Sequence, residues 1–502
     1  MKRFIALLVA LCCASVCAAD QPHILVVLAD DLGFGDLGCY GNADVKTPHL
    51  DAFARQGLRL TQCYSAGANC SPSRAGLMTG RTPYRVGVHS QIPFLSPMHL
   101  PASETTVASL LRAAGYDTCQ SGKWHLNGMF NLPGQPQPVD HGFRRSFATQ
   151  NNCLPNHRNP YNFVRDGIPQ GPLKGYAAQL TADEAIGWLR HEREATKPFF
   201  LYVAFHEPHE PIRSAPEYEA LYDLPDDPSR RAYLANITQM DAAFGRLMSA
   251  LDELGLSDDT LVWFTSDNGP ARTKWHASGS TGGLRGFKGQ LWEGGIRVPG
   301  LIRFPGRVAA ARESDVPVCG VDFLPTVCEL VGLQPPAGVT LDGTSVAPLW
   351  RGGVVRREKP LYWQFNLASG EEKLALRDGD WKIVARLSLP LGPQRADITA
   401  EAMHVLKHAE PALPELYNLA DDPAETRNVA DRFPERLATM RSSLIKAFHD
   451  VRRETPVWPR FQDPGYEAPR IHWPDYTAPR GGSGHASDAR RRSTTAGQRT
   501  GE

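Results

Sequence analysis

Residues 23–36 read HILVVLADDLGFGD: an unbroken apolar, β-branched run that stops on two carboxylates and a glycine-rich turn. A central parallel strand needs such a run, because helices cover both of its faces and leave no place for alternating polar residues. The same grammar recurs three times. TLVWFTS at 260–266 stops on DNGP, PFFLYVAF at 198–205 stops on HEPHEP, and YDTCQS at 116–121 runs into GKWHL. Helical segments separate these strands: Thr106–Ala114 closed by Gly115, TADEAIGWLRHE at 181–192, and ANITQMDAAFGRLMSALDELG at 235–255, with apolar residues at i, i+3 and i+4. The alternation predicts a mostly parallel α/β sheet sandwiched by helices. Ligands of such sheets bind beyond the carboxyl ends of the strands, so the polar strand ends are expected to converge.

Past about residue 355 the texture changes to LYWQFN, KLALRDGDWKIVARL and ELYNL, where RDGD reads as a hairpin turn and a helix follows near 432–450. Residues 355–477 are therefore expected to form a smaller C-terminal α+β subdomain beside a larger domain at 20–354, the one that holds the converging strand ends. The first 19 residues have Lys2 and Arg3, an apolar stretch and a small-residue end at Ala18–Ala19, the pattern of a secretory signal peptide. Export to the periplasm or the medium is expected. Residues 478–502 are Gly, Ser, Thr and Arg with almost no apolar content and are expected to form a disordered tail. With 54 basic and 54 acidic side chains, nothing in the overall charge points to nucleic acid, and no run beyond the leader is long enough for a transmembrane segment. Seven cysteines remain after the leader, and in an exported chain an odd count suggests one thiol reserved for another purpose. Cys319 and Cys328, nine apart, are close enough in sequence to close a bridge, although spacing alone assigns no pairing.

Asp30, Asp31, Asp267 and Asn268 supply three carboxylates and an amide oxygen from two strand ends, the donor set of a hard cation such as Ca²⁺. A second signal lies in ANCSPSRAGLMTGR, residues 68–81. Ser71 or Cys70 is expected to cap a helix that has Pro72 in its first turn, runs through Met78 and ends at Gly80. That places Cys70 where helix-terminal N–H groups favour an anion, and Arg74 about one turn away, able to clamp an anionic substrate's oxygens. A thiolate nucleophile is one reading of Cys70, but a soft thiolate beside hard-oxygen ligands is a poor chemical match.

C-x-P-x-R followed by AGLMTGR resembles the signature of the sulfatase family, in which the cysteine is oxidised after translation to formylglycine. The resemblance runs over roughly residues 23–450 and includes ILVVLADDLGFGDLGCYG, GKWHL, DHGF, PHEP, FTSDNGP, LRGFKGQLWEGGIRVPG and LYNLADDPAETRN. It implies the alkaline-phosphatase-like fold and one calcium ion held by Asp30, Asp31, Asp267 and Asn268, with the formylglycine from Cys70 also on the ion. It implies sulfate-binding and proton-transfer roles for Arg74, Lys123, His125, His209 and Lys288. A formylglycine-generating enzyme is then a partner during maturation. In the implied mechanism one hydroxyl of the aldehyde hydrate attacks sulfur and an alcohol departs with a proton from His209 or Lys288. The second hydroxyl, deprotonated by His125, then expels sulfate.

The expected substrate is a sulfate ester, with a sulfated glycan favoured because LPNHRNPYNFVRDG (154–167) and VWPRFQDPGYEAPRIHWPDY (457–476) carry aromatic faces suited to a sugar ring. Those stretches equally suit covering an interface between domains. His206, Glu207 and Glu210 are candidate substrate contacts. Two alternatives stand beside the sulfatase reading: a phosphodiesterase or phosphonate monoester hydrolase of the same superfamily, and a non-catalytic protein that binds sulfated glycans.

Overall fold

The computed structural model describes residues 21–389, 391 and 397–478. The leader expected at 1–19 and the tail expected from 478, apart from Ala478 itself, lie outside the described residues. The larger sheet comprises β1 (His23–Asp30), β2 (Leu58–Tyr64), β3 (Asp117–Lys123), β4 (Arg145–Thr149), β5 (Val164–Arg165), β6 (Ile168–Pro169), β7 (Phe199–Pro208), β8 (Thr260–Ser266), β9 (Arg297–Arg303), β10 (Arg312–Ser314) and β11 (Val318–Cys319). Its order is β10-β2-β9-β8-β1-β7-β3-β4-β5-β6, with β11 on β2. The five strands from β8 to β4 are parallel to one another, and β9 runs antiparallel between β8 and β2. This is the mostly parallel α/β sheet expected from the sequence.

The helices of this unit are α1 (Pro48–Arg55), α2 (Cys70–Thr79), α3 (Val107–Ala113), α4 (Ala177–Gly187), α5 (Pro216–Glu219), α6 (Pro228–Glu253), α7 (Glu293–Ile296) and α8 (Phe323–Val331). Strand β1 shows why its sequence is apolar throughout. Ile24, Val26 and Leu28 enter one core with residues of α2, α3 and α8. Leu25, Val27 and Ala29 enter the other, with α1, α4 and α6. A polar side chain on either face would be stranded between layers.

Some local expectations are revised. Asn69, in extended backbone, is the residue before the first turn of α2, so Cys70 is the first helical residue and neither it nor Ser71 is the cap. The helix runs one residue past Met78, to Thr79, and Gly80 closes it at φ 67°. The segment expected at 181–192 starts at Ala177 and loosens into a wider turn over Trp188–Glu192. All seven described cysteines are free, Cys319 and Cys328 included, so the parity of the count carried no information about pairing.

The smaller unit is a four-stranded antiparallel sheet, β12 (Leu361–Gln364), β13 (Leu374–Asp378), β14 (Trp381–Leu387) and β15 (Pro411–Asn418), with α9 (Ala400–His408) and α10 (Pro434–Glu454). RDGD makes the β13–β14 turn, where Asp378 faces Trp381 and Gly379 takes φ 58°. An apolar cluster joins the two units: Tyr64, Leu291, Trp292 and Ile296 pack with Trp363, Val384 and Tyr417. Within that contact Lys382 Nζ lies 3.0 Å from Glu293 Oε1 and 2.9 Å from Glu425 Oε1, all three side chains fully buried. Removing one member of a buried charge group leaves the others uncompensated. Lys382→Ala is therefore expected to lower unfolding free energy by about 3–5 kcal/mol, read from denaturant titration, with an unshifted midpoint as the contrary result.

Candidate active site

Strand register assembles the site. Ala29 pairs with Ser266 across β1 and β8, so Asp30–Asp31 and Asp267–Asn268 leave the sheet side by side. Asp30 pairs with Pro208 of β7, which brings His209 next to Asp31. Lys123 ends β3 opposite Thr149 of β4. All are carboxyl ends of parallel strands, the place where doubly covered sheets bind ligands.

The head of α2 points into this cluster. Cys70 Sγ is 3.5 Å from Asp30 Oδ1 and the residue is buried. Burial pushes its thiol up to about 12 against the pull of Lys123 and Lys288, so at neutral pH it is a thiol and not a thiolate. The plain thiolate nucleophile is thereby disfavoured. Lys123 Nζ donates to Asp30 Oδ2 at 2.5 Å. Lys288 Nζ lies 2.6 Å from Asp31 Oδ1 and 2.8 Å from Oδ2. Arg74 is fully buried, with Nη2 2.8 Å from Asp267 Oδ2 and Nη1 donating to the Lys123 carbonyl at 3.0 Å. Its Nη2 also lies 3.6 Å from Asp30 Oδ2. The guanidinium expected to clamp substrate oxygens is thus spent on the site's own carboxylates and backbone.

The two histidines differ in what they offer. His125 has φ 56°, a costly conformation for a non-glycine residue. Its backbone N–H donates to the Gln150 carbonyl at 2.8 Å and its Nε2 contacts the Ile92 carbonyl at 3.2 Å. That contact assigns the ring proton to Nε2 and leaves the buried Nδ1 without a partner. Burial, with Lys123 and Arg74 adding to it, holds His125 neutral, well below the usual imidazole range. His209 Nδ1 hydrogen-bonds the Glu210 carbonyl, and Nε2 lies 3.7 Å from Asp31 Oδ2. Burial and Lys288 bring His209 down to about 4.

The carboxylates fit a hard cation. Asp30, Asp31, Cys70 and His209 present ligand atoms within 4.8 Å of one another. Asn268 Nδ2 donates to Asp31 Oδ1 at 2.7 Å, while its buried Oδ1 has no partner. Asp31 itself takes φ 65°, strain concentrated at a functional position. Burial opposes ionisation of Asp30, but Lys123, His209, Arg74 and Lys288 together hold its carboxyl well below the ordinary value. Burial and the charge of Asp30 push Asp267 up to about 7. Carboxylates crowded this closely repel one another, and a dication among their oxygens would relieve it.

Other expectations are corrected by burial. His206 is buried and hydrogen-bonds Thr149 Oγ1 at 2.7 Å, and Glu207 accepts from the Ala178 amide at 2.8 Å, so neither is a substrate contact. Glu210 accepts from Thr273 Oγ1 at 2.8 Å. Gln150 was not picked out from the sequence, yet its Nε2 donates to the Ile92 and Asn127 carbonyls at 2.8 and 2.9 Å and helps hold the loops around His125. It carries no motif, and only the β4 end position would have pointed to it.

Residues 22–333 match the family model described as Sulfatase. The chain is 34% identical over 476 residues to arylsulfatase A of Bos taurus, covering 87% of this chain and 90% of that one. It is 34% identical over 394 residues to N-acetylgalactosamine-6-sulfatase of Canis lupus familiaris, covering 73% and 72%. Among solved structures, Ps i-CgsB in complex with k-i-k-neocarrahexaose aligns with a TM-score of 0.74 at 25% identity, over 89% of this chain and 96% of that one.

Proposed function

The chain belongs to the sulfatase family and is a sulfuric ester hydrolase, and from that premise we propose that it removes sulfate from a sulfated carbohydrate, using a formylglycine made from Cys70 beside one calcium ion. The observation that carries this reading is the seat of Cys70: a buried, protonated thiol at the head of a helix, 3.5 Å from a carboxylate in an oxygen-donor cluster. As a cysteine it is a poor nucleophile and a mismatched ligand there. Oxidised to formylglycine, the residue supplies as its hydrate two hydroxyls on one carbon, one to take the sulfuryl group and one to expel it. A calcium ion held by Asp30, Asp31, Asp267 and Asn268, with residue 70 beside it, supplies positive charge at the reacting oxygens.

The chain's own residues do the rest. Arg74 is a positioning residue: it fixes Asp267 and balances the carboxylates. Lys123, tied to Asp30, keeps an ammonium beside residue 70 for the sulfate oxygens. His125, neutral and with Nδ1 unpartnered, takes the proton of the second hydroxyl. His209 has committed its N–H to Glu210, whereas Lys288 donates one hydrogen bond to Asp31 and keeps N–H for the departing alcohol. Lys288→Ala is accordingly expected to cost about 10²–10³ in kcat on a sugar sulfate and about tenfold on an aryl sulfate, whose leaving group needs less help. His209→Ala is expected to lack that leaving-group dependence. Equal losses on both substrates for Lys288→Ala would contradict the assignment.

The sugar named in one relative, N-acetylgalactosamine-6-sulfatase, and the k-i-k-neocarrahexaose in complex with one solved structure support a carbohydrate here. Residues 1–19 support export, and no helix among the described residues is long and apolar enough to cross a membrane. Protein matured alongside a formylglycine-generating enzyme should turn over an aryl sulfate faster than an aryl phosphate diester. The reverse order would favour the phosphodiesterase alternative, and turnover of neither would favour the non-catalytic binding protein.

A further inference from the structure

LYNLADDPAETRN, residues 416–428, begins in β15 of the smaller unit and supplies none of the reacting groups. Hydrogen bonds shape it into a turn that presents one side chain. Asp422 Oδ2 accepts from the Arg427 amide at 2.8 Å, its Oδ1 from Thr426 Oγ1 at 2.9 Å, and its carbonyl from the Glu425 amide at 3.1 Å. Asn428 Oδ1 accepts from the Leu416 amide at 3.1 Å and pins the far end of the turn back to β15. Between these ties Glu425 takes φ 54°, a costly conformation for a residue with a side chain, and its side chain is fully buried. The carboxylate leaves the smaller unit: Oε2 accepts from the backbone N–H of Glu293 at 2.6 Å. The Glu425 carbonyl accepts from Arg285 Nη1 at 2.9 Å.

Arg285 and Glu293 stand on the two stems of one loop. The Gly294 N–H donates to the Arg285 carbonyl at 2.7 Å and closes the neck, so tightly that a Cβ on Gly294 would lie 2.5 Å from the Gly286 carbonyl oxygen. Arg285 also lies 3.5 Å over the ring of Trp292. The tip turns through Gln290 N–H to the Phe287 carbonyl at 3.0 Å and carries Lys288. The Gly289 N–H donates to the Ala68 carbonyl at 2.8 Å, which sets the tip against the head of α2 while Lys288 Nζ reaches Asp31. Glu425 thus ties both stems of the loop whose tip holds Lys288 among the reacting groups. An apolar cluster already joins the two units, and burying a carboxylate there costs more than another apolar contact would. What the carboxylate adds is direction, and a reacting group displaced by about 1 Å can lose about 10²-fold in rate.

We propose that Glu425 is a positioning residue for sulfate-ester cleavage, through which the smaller unit sets the place of Lys288. The effect on rate rests on the reading of Lys288 as the proton donor to the departing alcohol.

Glu425→Ala removes the acceptor and leaves Lys382 and Glu293 as a balanced pair, so the fold is expected to survive. In the matured enzyme, well below its unfolding temperature, kcat is expected to fall about tenfold or more on phenyl sulfate but about threefold or less on para-nitrophenyl sulfate, with KM nearly unchanged, because the poorer leaving group depends more on the donated proton. Combined with Lys288→Ala it is expected to add nothing, whereas an independent structural part would multiply the losses. Glu425→Gln keeps an acceptor for the Glu293 N–H and is expected to recover most of the rate. Hydrogen–deuterium exchange, read without turnover, should quicken in the peptide spanning 284–294 and not across the sheet. Should Glu425→Ala not fold, Arg285→Ala, an exposed change that frees the other stem, takes its place with the same expected pattern. Equal losses on the two esters, independent losses in the double variant, no recovery in Glu425→Gln, or unchanged exchange at 284–294 would overturn the proposal. If Lys288→Ala itself loses equally on both esters, the proton-donor reading fails, and exchange at 284–294 alone decides whether Glu425 holds the loop.

Discussion

Cys70→Ala is expected to abolish sulfate-ester turnover, with kcat falling about 10⁴-fold or more, while the protein keeps its fold. The fold should survive because the Cys70 side chain makes a single weak hydrogen bond, 3.5 Å to Asp30, and alanine suits the first turn of a helix. The loss should be large because no other described side chain at this point can be nucleophile and leaving-group carrier in turn. Cys70→Ser sharpens the test. A single hydroxyl can accept the sulfuryl group but has no partner on the same carbon to expel it, so an unconverted serine enzyme should release at most one equivalent of alcohol and stop. Continuous turnover by either variant would remove Cys70 from the mechanism.

Asp267→Ala is expected to lower kcat about 10³-fold and to destabilise the protein by about 3–5 kcal/mol. Two effects combine. Loss of the carboxylate removes an oxygen donor from the proposed cation site, and it also strands Arg74, a fully buried guanidinium whose contacts at 2.8 and 3.1 Å are to Asp267 Oδ2. Asp267→Asn keeps the shape and should recover part of the stability with little of the activity. Chelation of the native protein should reproduce the activity loss without the packing loss, and added Ca²⁺ should reverse it. The pH dependence has a definite sign. Asp267 titrates near 7, raised by burial and by Asp30, and a protonated carboxyl is not a ligand, so Ca²⁺ affinity should fall as pH drops through 7. Affinity that is flat or rises on acidification would contradict the ligand assignment.

The strands and the strand-end residues were legible because a doubly covered parallel strand must be apolar throughout, and β1 and β8 are. What put Asp30, Asp31, Asp267 and Asn268 together was register, which follows from the same burial. The direction of Arg74 was not legible. From the sequence it stands one turn from Cys70, but whether it faces substrate or carboxylate depends on β8 passing behind α2, a long-range packing fact. His206 and Glu207 were misread for a related reason: they share the HEPHEP segment with His209, yet they still lie inside β7, which runs to Pro208 and is buried throughout, so their side chains meet the core and not the solvent. The cap of α2 shifted from Ser71 or Cys70 to Asn69 because boundary signals locate helix ends only to within a residue or two.

The most direct measurement is the mass of the tryptic peptide from Leu60 to Arg74, taken from protein made with its maturation machinery. Replacing CH₂SH by CHO removes about 18 Da, and hydration returns the mass of one water. A peptide lighter by that amount, in proportion to specific activity on a sulfate ester, is the expected result. A peptide carrying only the unmodified thiol, from active protein and from cells that convert a control sulfatase, would contradict it.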